Sequence, residues 1–266
     1  MIGSWWRGVK SWREGSALER RAIPDDLWKR CLVRYPFLGR KDAADAAELR
    51  RLTSLFLDRK EFHCVGGLKL TDAMAVAIAA QACLPVLKLG LDRYDSFVGI
   101  VVHPDAVVAA RSHQDEDGVV HEYDEPLSGE AMEGGPVMLS WPDVRRAGHS
   151  AAQGYNVVIH EFAHVLDMGA GAANGVPLLP QSISAAEWAN TWSAEFAVLQ
   201  QRVNNSLPTL LDPYGASAEE EFFAVASESF FVNPAGLQSE HATLYALLSR
   251  FYGQDPGVDT PALRRN

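Results

Sequence analysis

The stretch Asn156-Val157-Val158-Ile159-His160-Glu161-Phe162-Ala163-His164-Val165-Leu166-Asp167 constrains this chain more than any other feature. It reads as a helix that is apolar nearly all round, and such a helix belongs in an interior. Burying two imidazoles and a carboxylate there is costly unless something partners them. The H-E-x-x-H spacing supplies that partner. Four residues advance a helix by about 400°, so His160 and His164 fall on one face about a turn apart, where both reach one tetrahedral ion. Glu161 projects beside them, placed to take a proton from a water that Zn²⁺ acidifies. The pattern predicts one Zn²⁺ per chain held by His160 and His164, with Glu161 as general base.

An open catalytic zinc site needs a third protein ligand. In sites that continue as H-E-x-x-H-x-x-G-x-x-H the third ligand is a histidine, but here the glycine and histidine positions hold Asp167 and Ala170. The run Glu219-Glu220-Glu221-Phe222-Phe223-Ala224-Val225-Ala226-Ser227-Glu228 offers carboxylates instead. Glu221 and Glu228, seven residues apart, nearly superimpose on one face of an aromatic-rich helix. Glu221 is the expected ligand; Glu228 and Asp212 are alternatives, and Glu228 suits better the holding of a ligand in place. Glu219 and Glu220 read as charges favoured by the helix N-terminus. Tyr214, in a Pro-Tyr-Gly turn seven residues before Glu221, can bring a phenol to the oxyanion of a tetrahedral intermediate, or simply pack at a helix entry. Asp167 either accepts the free ring N–H of a ligand histidine or caps a turn.

Composition narrows the partners. The formal net charge is −10, and basic pairs such as Arg20-Arg21, Arg50-Arg51 and Arg145-Arg146 are scattered, so the concentrated basic face that phosphate contacts require is missing and nucleic acid is excluded as a partner. Cys31, Cys64 and Cys83 are odd in number and unrelated in spacing, which predicts neither a disulfide framework nor a cysteine metal site and fits a reducing, cytoplasmic compartment. Trp5, Trp6 and Trp12 among Arg7, Lys10 and Arg13 form no continuous apolar run of signal length, so no membrane insertion is expected.

The chain reads as α+β: a single domain over residues 1–266, with about the first 22 residues a peripheral segment. Helices are expected from Pro24, from about Ala43 to Arg59, from Thr71 to Leu84, and at roughly 156–168, 184–204, 218–232 and 239–252. Between them, Phe97–Val102, Val119–Tyr123 and Pro136–Trp141 read as strands of one small sheet. The last of these is either an interior strand or an edge that pairs with an extended peptide. His63, His103, His113, His121, His149 and His241 are isolated and read as ordinary histidines. Glu130 and Glu133 rim a cleft or sit in a solvated loop.

The segments His160–Met168, Asn174-Gly175-Val176-Pro177 and Glu221–Glu228 together resemble the Mlc titration factor A family of bacterial zinc metallopeptidases. The likeness extends to Gly66-Gly67-Leu68, Ala80-Gln81-Ala82-Cys83-Leu84-Pro85-Val86-Leu87 and Gly135–Trp141, and so covers most of the chain after about residue 45. The resemblance implies a mostly helical zincin fold related to the anthrax lethal factor catalytic domain. It places the family's two histidines, catalytic glutamate and distal glutamate on His160, His164, Glu161 and Glu221. It also implies aminopeptidase-type hydrolysis of small or unstructured peptides. The competing expectation is a regulator that binds and sequesters a transcriptional repressor, with the zinc site structural or vestigial.

Overall fold

A computed structural model of the chain describes residues 13–105, 107–114, 120–127, 129–132 and 134–258. The Trp-rich start, Val119 and Glu133 lie outside these residues. Helix α1 (13–20) precedes α2 (Asp25–Arg34) and α3 (Ala43–Arg59). Strand β1 (Glu61–Cys64), helix α4 (Asp72–Cys83) and strand β2 (Gly99–His103) follow. Strands β3 (Val107–Gln114), β4 (Val120–Leu127), β5 (Gly129–Ala131) and β6 (Val137–Ser140) lead into α5 (Trp141–Ser150) and α6 (Val157–Met168). Helices α7 (Ala185–Asn204), α8 (Glu219–Val232), α9 (Pro234–Glu240) and α10 (Ala242–Tyr252) complete the described chain. The class is α+β, mostly helical with a small mixed sheet.

Local chemistry sets the helix starts where the sequence reading placed them. Side chains of Asp42, Thr71, Asn156 and Ser184 each accept a hydrogen bond from the amide three residues on, satisfying donors that a helix start leaves unpaired.

The four-stranded sheet has the order β1-β2-β6-β5; β1, β2 and β6 are parallel and β5 runs antiparallel to β6. One expectation is corrected here and one open alternative is resolved. The strand near Val119–Tyr123 does not join this sheet: β4 pairs antiparallel with β3 in a separate ribbon. Its sequence, Val-His-Glu-Tyr-Asp-Glu-Pro-Leu, carries too many carboxylates for an interior strand, and Pro126 lacks the amide that a second neighbour would need. Of the two readings of Pro136–Trp141 the interior one holds: its strand lies between β2 and β5, and among the described residues β5 is the outermost strand on that side. Trp141 itself starts α5, with Pro142 in the first turn where a missing amide costs nothing.

Helix α6 runs through the middle of the core. Val157, Val158, Ile159, Phe162, Ala163, Val165 and Leu166 are all buried. Phe162 is ringed by Phe56, Tyr94 and Phe97 at centroid distances of 5.6, 5.0 and 5.7 Å. On its other side α6 packs against α8, whose Phe222 and Phe223 lie 4.7 and 5.7 Å from Trp192 of α7. Close packing of α6 on α8 holds the few polar side chains they carry inward to a fixed geometry.

Candidate metal centre

The turn before α6 is made by Gly154, whose positive φ of 82° a side chain would strain. Asn156 then caps the helix, and His160 and His164 emerge on one face with ring centroids 4.8 Å apart. Their Nε2 atoms are 3.2 Å from each other. Glu221, in the first turn of α8, brings Oε2 to 3.1 Å from Nε2 of His160 and 3.4 Å from Nε2 of His164. Among the described residues these three side chains form the group of donors able to hold a metal ion.

The spacing is informative. Ligands about 2.0–2.1 Å from a tetrahedral zinc stand about 3.3 Å from one another, and the three separations scatter round that figure. Two imidazoles and one carboxylate also form the donor set of open zinc sites, with a fourth position left over. The electrostatics point the same way. Burial pushes the His160 imidazole down, but the carboxylates of Glu228 and Glu221 outweigh it and hold it well above its usual range. Burial pushes Glu221 up, yet the two histidines overcome this and hold it far below the carboxylate range. The pocket is organised for positive charge at its centre.

Glu161 is 4% exposed, and burial pushes its carboxyl up to about 7 against the pull of His160 and His164. Strand β5 lies over it: a Cβ built on Gly129 would meet Glu161 Cγ and Oε1 at 2.6 Å. Strand alternation turns Glu130 to the opposite face of the sheet, away from Glu161. Tyr214 sits in the short 3₁₀ turn Pro213–Ala216, with its hydroxyl 3.3 Å from Glu221 Oε1 and its side chain 44% exposed at the mouth of the site.

The remaining candidates separate cleanly. Glu228 Oε1 meets Nδ1 of His160 at 2.7 Å, the ring nitrogen opposite the one facing Glu221, so it braces that ring from behind. Asp212 caps its own turn by accepting from the Tyr214 amide at 2.9 Å. Asp167 Oδ2 accepts from the amides of Asn174 and Gly175 at 2.8 and 2.7 Å, which makes it a turn cap. Sequence reasoning gave no role to Gly129 or to Gln81, which it quoted only within a segment of family likeness; the local signals were a glycine at the start of a short strand and an amide within an apolar helix.

The sequence profile of the family described as glucose-regulated metallo-peptidase M90 matches residues 9–253. A protein of Synechocystis named "uncharacterized protein slr2042" is 36% identical over 93% of this chain and 90% of its own length. Mlc titration factor A of Cronobacter sakazakii is 33% identical, covering 89% and 91% of the two chains, and that of Serratia proteamaculans is 35% identical, covering 86% and 87%.

Proposed function

Because this chain belongs to the glucose-regulated metallo-peptidase M90 family, we propose that it is a zinc-dependent peptidase of the aminopeptidase type, acting on small or unstructured peptides. The observation that carries the reading is the convergence of His160, His164 and Glu221 donor atoms at 3.1–3.4 Å beside a buried carboxylate that is not one of them. Zinc held by those donors supplies Lewis acidity, polarising a carbonyl and easing loss of a proton from water near neutral pH. Glu161 accepts that proton as the water oxygen bonds to the carbonyl carbon, and returns it to the amine as the C–N bond breaks. Tyr214 donates its hydroxyl to the developing oxyanion. As the outermost strand of its sheet among the described residues, β5 is the edge along which an extended peptide would pair. Three unpaired cysteines support a reducing, cytoplasmic setting, and among the described residues no helix is long and apolar enough to cross a membrane.

The test is direct. Protein purified without chelator is expected to carry one zinc per chain and to cleave a fluorogenic peptide with a free N-terminus faster than its acetylated form. Chelation should abolish cleavage and added zinc restore it; a chain that takes up no zinc, or cleaves equally well without it, would falsify the proposal. Tyr214→Phe is expected to lower kcat by about 10²–10³-fold at unchanged zinc content, the usual cost of one oxyanion donor. An unchanged kcat removes Tyr214 from the mechanism. A repressor-binding role draws on the relatives' name, Mlc titration factor A. It becomes the better reading if wild type and Glu161→Gln bind a repressor equally and neither cleaves peptides.

A further inference from the structure

Helix α4 contributes no donor to the metal centre, yet it carries Gln81, whose side chain is wholly buried in the otherwise apolar run Ala-Val-Ala-Ile-Ala-Ala-Gln-Ala-Cys. An amide in such a place is costly unless both of its ends are satisfied. Both are. Nε2 donates to the Ala77 carbonyl at 3.0 Å, and Oε1 accepts from Asn156 Nδ2 at 2.9 Å. Asn156 is also wholly buried; its Oδ1 accepts from the Ile159 amide at 3.0 Å, and its backbone N–H donates to Glu228 Oε2. The other oxygen of Glu228 meets His160 Nδ1.

The direction of each bond follows from the one before. The Ala77 carbonyl can only accept, so Gln81 must turn its NH₂ to it and its oxygen to Asn156. Asn156 must then present its own NH₂ to Gln81, which leaves its oxygen to cap α6. Its main-chain N–H, held in place by that cap, engages one oxygen of Glu228 and leaves the other to accept from Nδ1–H of His160. The His160 Nε2 lone pair is thereby aimed at the pair formed by His164 and Glu221.

We infer that Gln81 is a positioning residue for the metal centre: through Asn156 and Glu228 it fixes the orientation and protonation pattern of His160. The inference rests on the metal reading above.

The experiment measures zinc dissociation constants by competition with a chromophoric chelator, alongside melting temperatures, for wild type, Gln81→Met, Gln81→Glu, Asn156→Ala and the double variant Gln81→Met/Asn156→Ala. Gln81→Met keeps volume and loses both hydrogen bonds, and is expected to weaken zinc binding about 10–100-fold. Burial favours the neutral acid in Gln81→Glu, which keeps a donor for the Ala77 carbonyl and an acceptor for Asn156, so this variant is expected to stay within about threefold of wild type. The double variant should bind zinc no more weakly than Asn156→Ala alone, because both act along one route. Wild-type zinc affinity in Gln81→Met with a lowered melting temperature would make Gln81 merely structural and overturn the inference. Equal losses in the Met and Glu variants, or additive losses in the double variant, overturn it as well. A wild-type chain that binds no zinc overturns the metal reading itself, an outcome distinct from these.

Discussion

Glu161→Gln is expected to lower kcat by about two to four orders of magnitude while leaving one zinc per chain. Glutamine matches glutamate in shape but cannot hold a proton in transit, so only the proton-transfer role is removed. Zinc should stay because the donor set is His160, His164 and Glu221, and Glu161 is outside it. The pH dependence has a defined sign. Burial pushes this carboxyl up to about 7, and a bound cation would pull it lower. The base works deprotonated, so kcat/KM should rise with pH along an acid limb centred below 7, and the Gln variant should lose that limb. Steady-state rates paired with elemental analysis decide the matter; undiminished turnover by the Gln variant returns Glu161 to a structural role.

How much of this centre was legible in the sequence depends on whether a residue's partner lies along its own helix or across the fold. His160 and His164 share a helical turn, and Glu221 and Glu228 share a face of α8, so periodicity alone placed each pair correctly. That the two helices meet was foreshadowed only by chemistry: acidic residues on an aromatic-rich helix want a cation. Which ring nitrogen each carboxylate meets depends on how α6 and α8 pack together, which periodicity along a single helix does not give. Long elements with side-chain caps, such as Ala43–Arg59, emerge with the expected bounds.

Short elements fared worse for a physical reason. The three residues of β5, Gly-Glu-Ala, have no strand propensity of their own and are strand only because β6 offers an unfilled edge. Strand β1 is four residues with one half-exposed face, too short for alternation to stand out. Helix α5 hid behind Trp141-Pro142, which read as the end of a strand. These elements decide which strand lies outermost beside Glu161, so without them Pro136–Trp141 stayed open between an interior and an edge strand, while the histidine and glutamate spacing did not depend on them.

Strand β5 carries the second large effect. Gly129→Ala is expected to lower kcat by about 10²-fold with zinc binding unchanged, the scale of loss that follows a displacement of about 1 Å in a catalytic group. A methyl at Gly129 lands 2.6 Å from Glu161 Cγ and Oε1, inside van der Waals contact, so the strand or the carboxylate must give. Either response moves the base relative to the three donors and to β5. Gly39→Ala is the control, because nothing lies within 4 Å of the added carbon and its backbone is not left-handed; it should leave kcat unchanged. The decisive measurement combines the two active-site changes. If Gly129 matters because it leaves room for Glu161, adding Gly129→Ala to Glu161→Gln should cost little more in kcat, since the step it disturbs is already lost. Fully additive losses would instead show that β5 acts on substrate independently of the base.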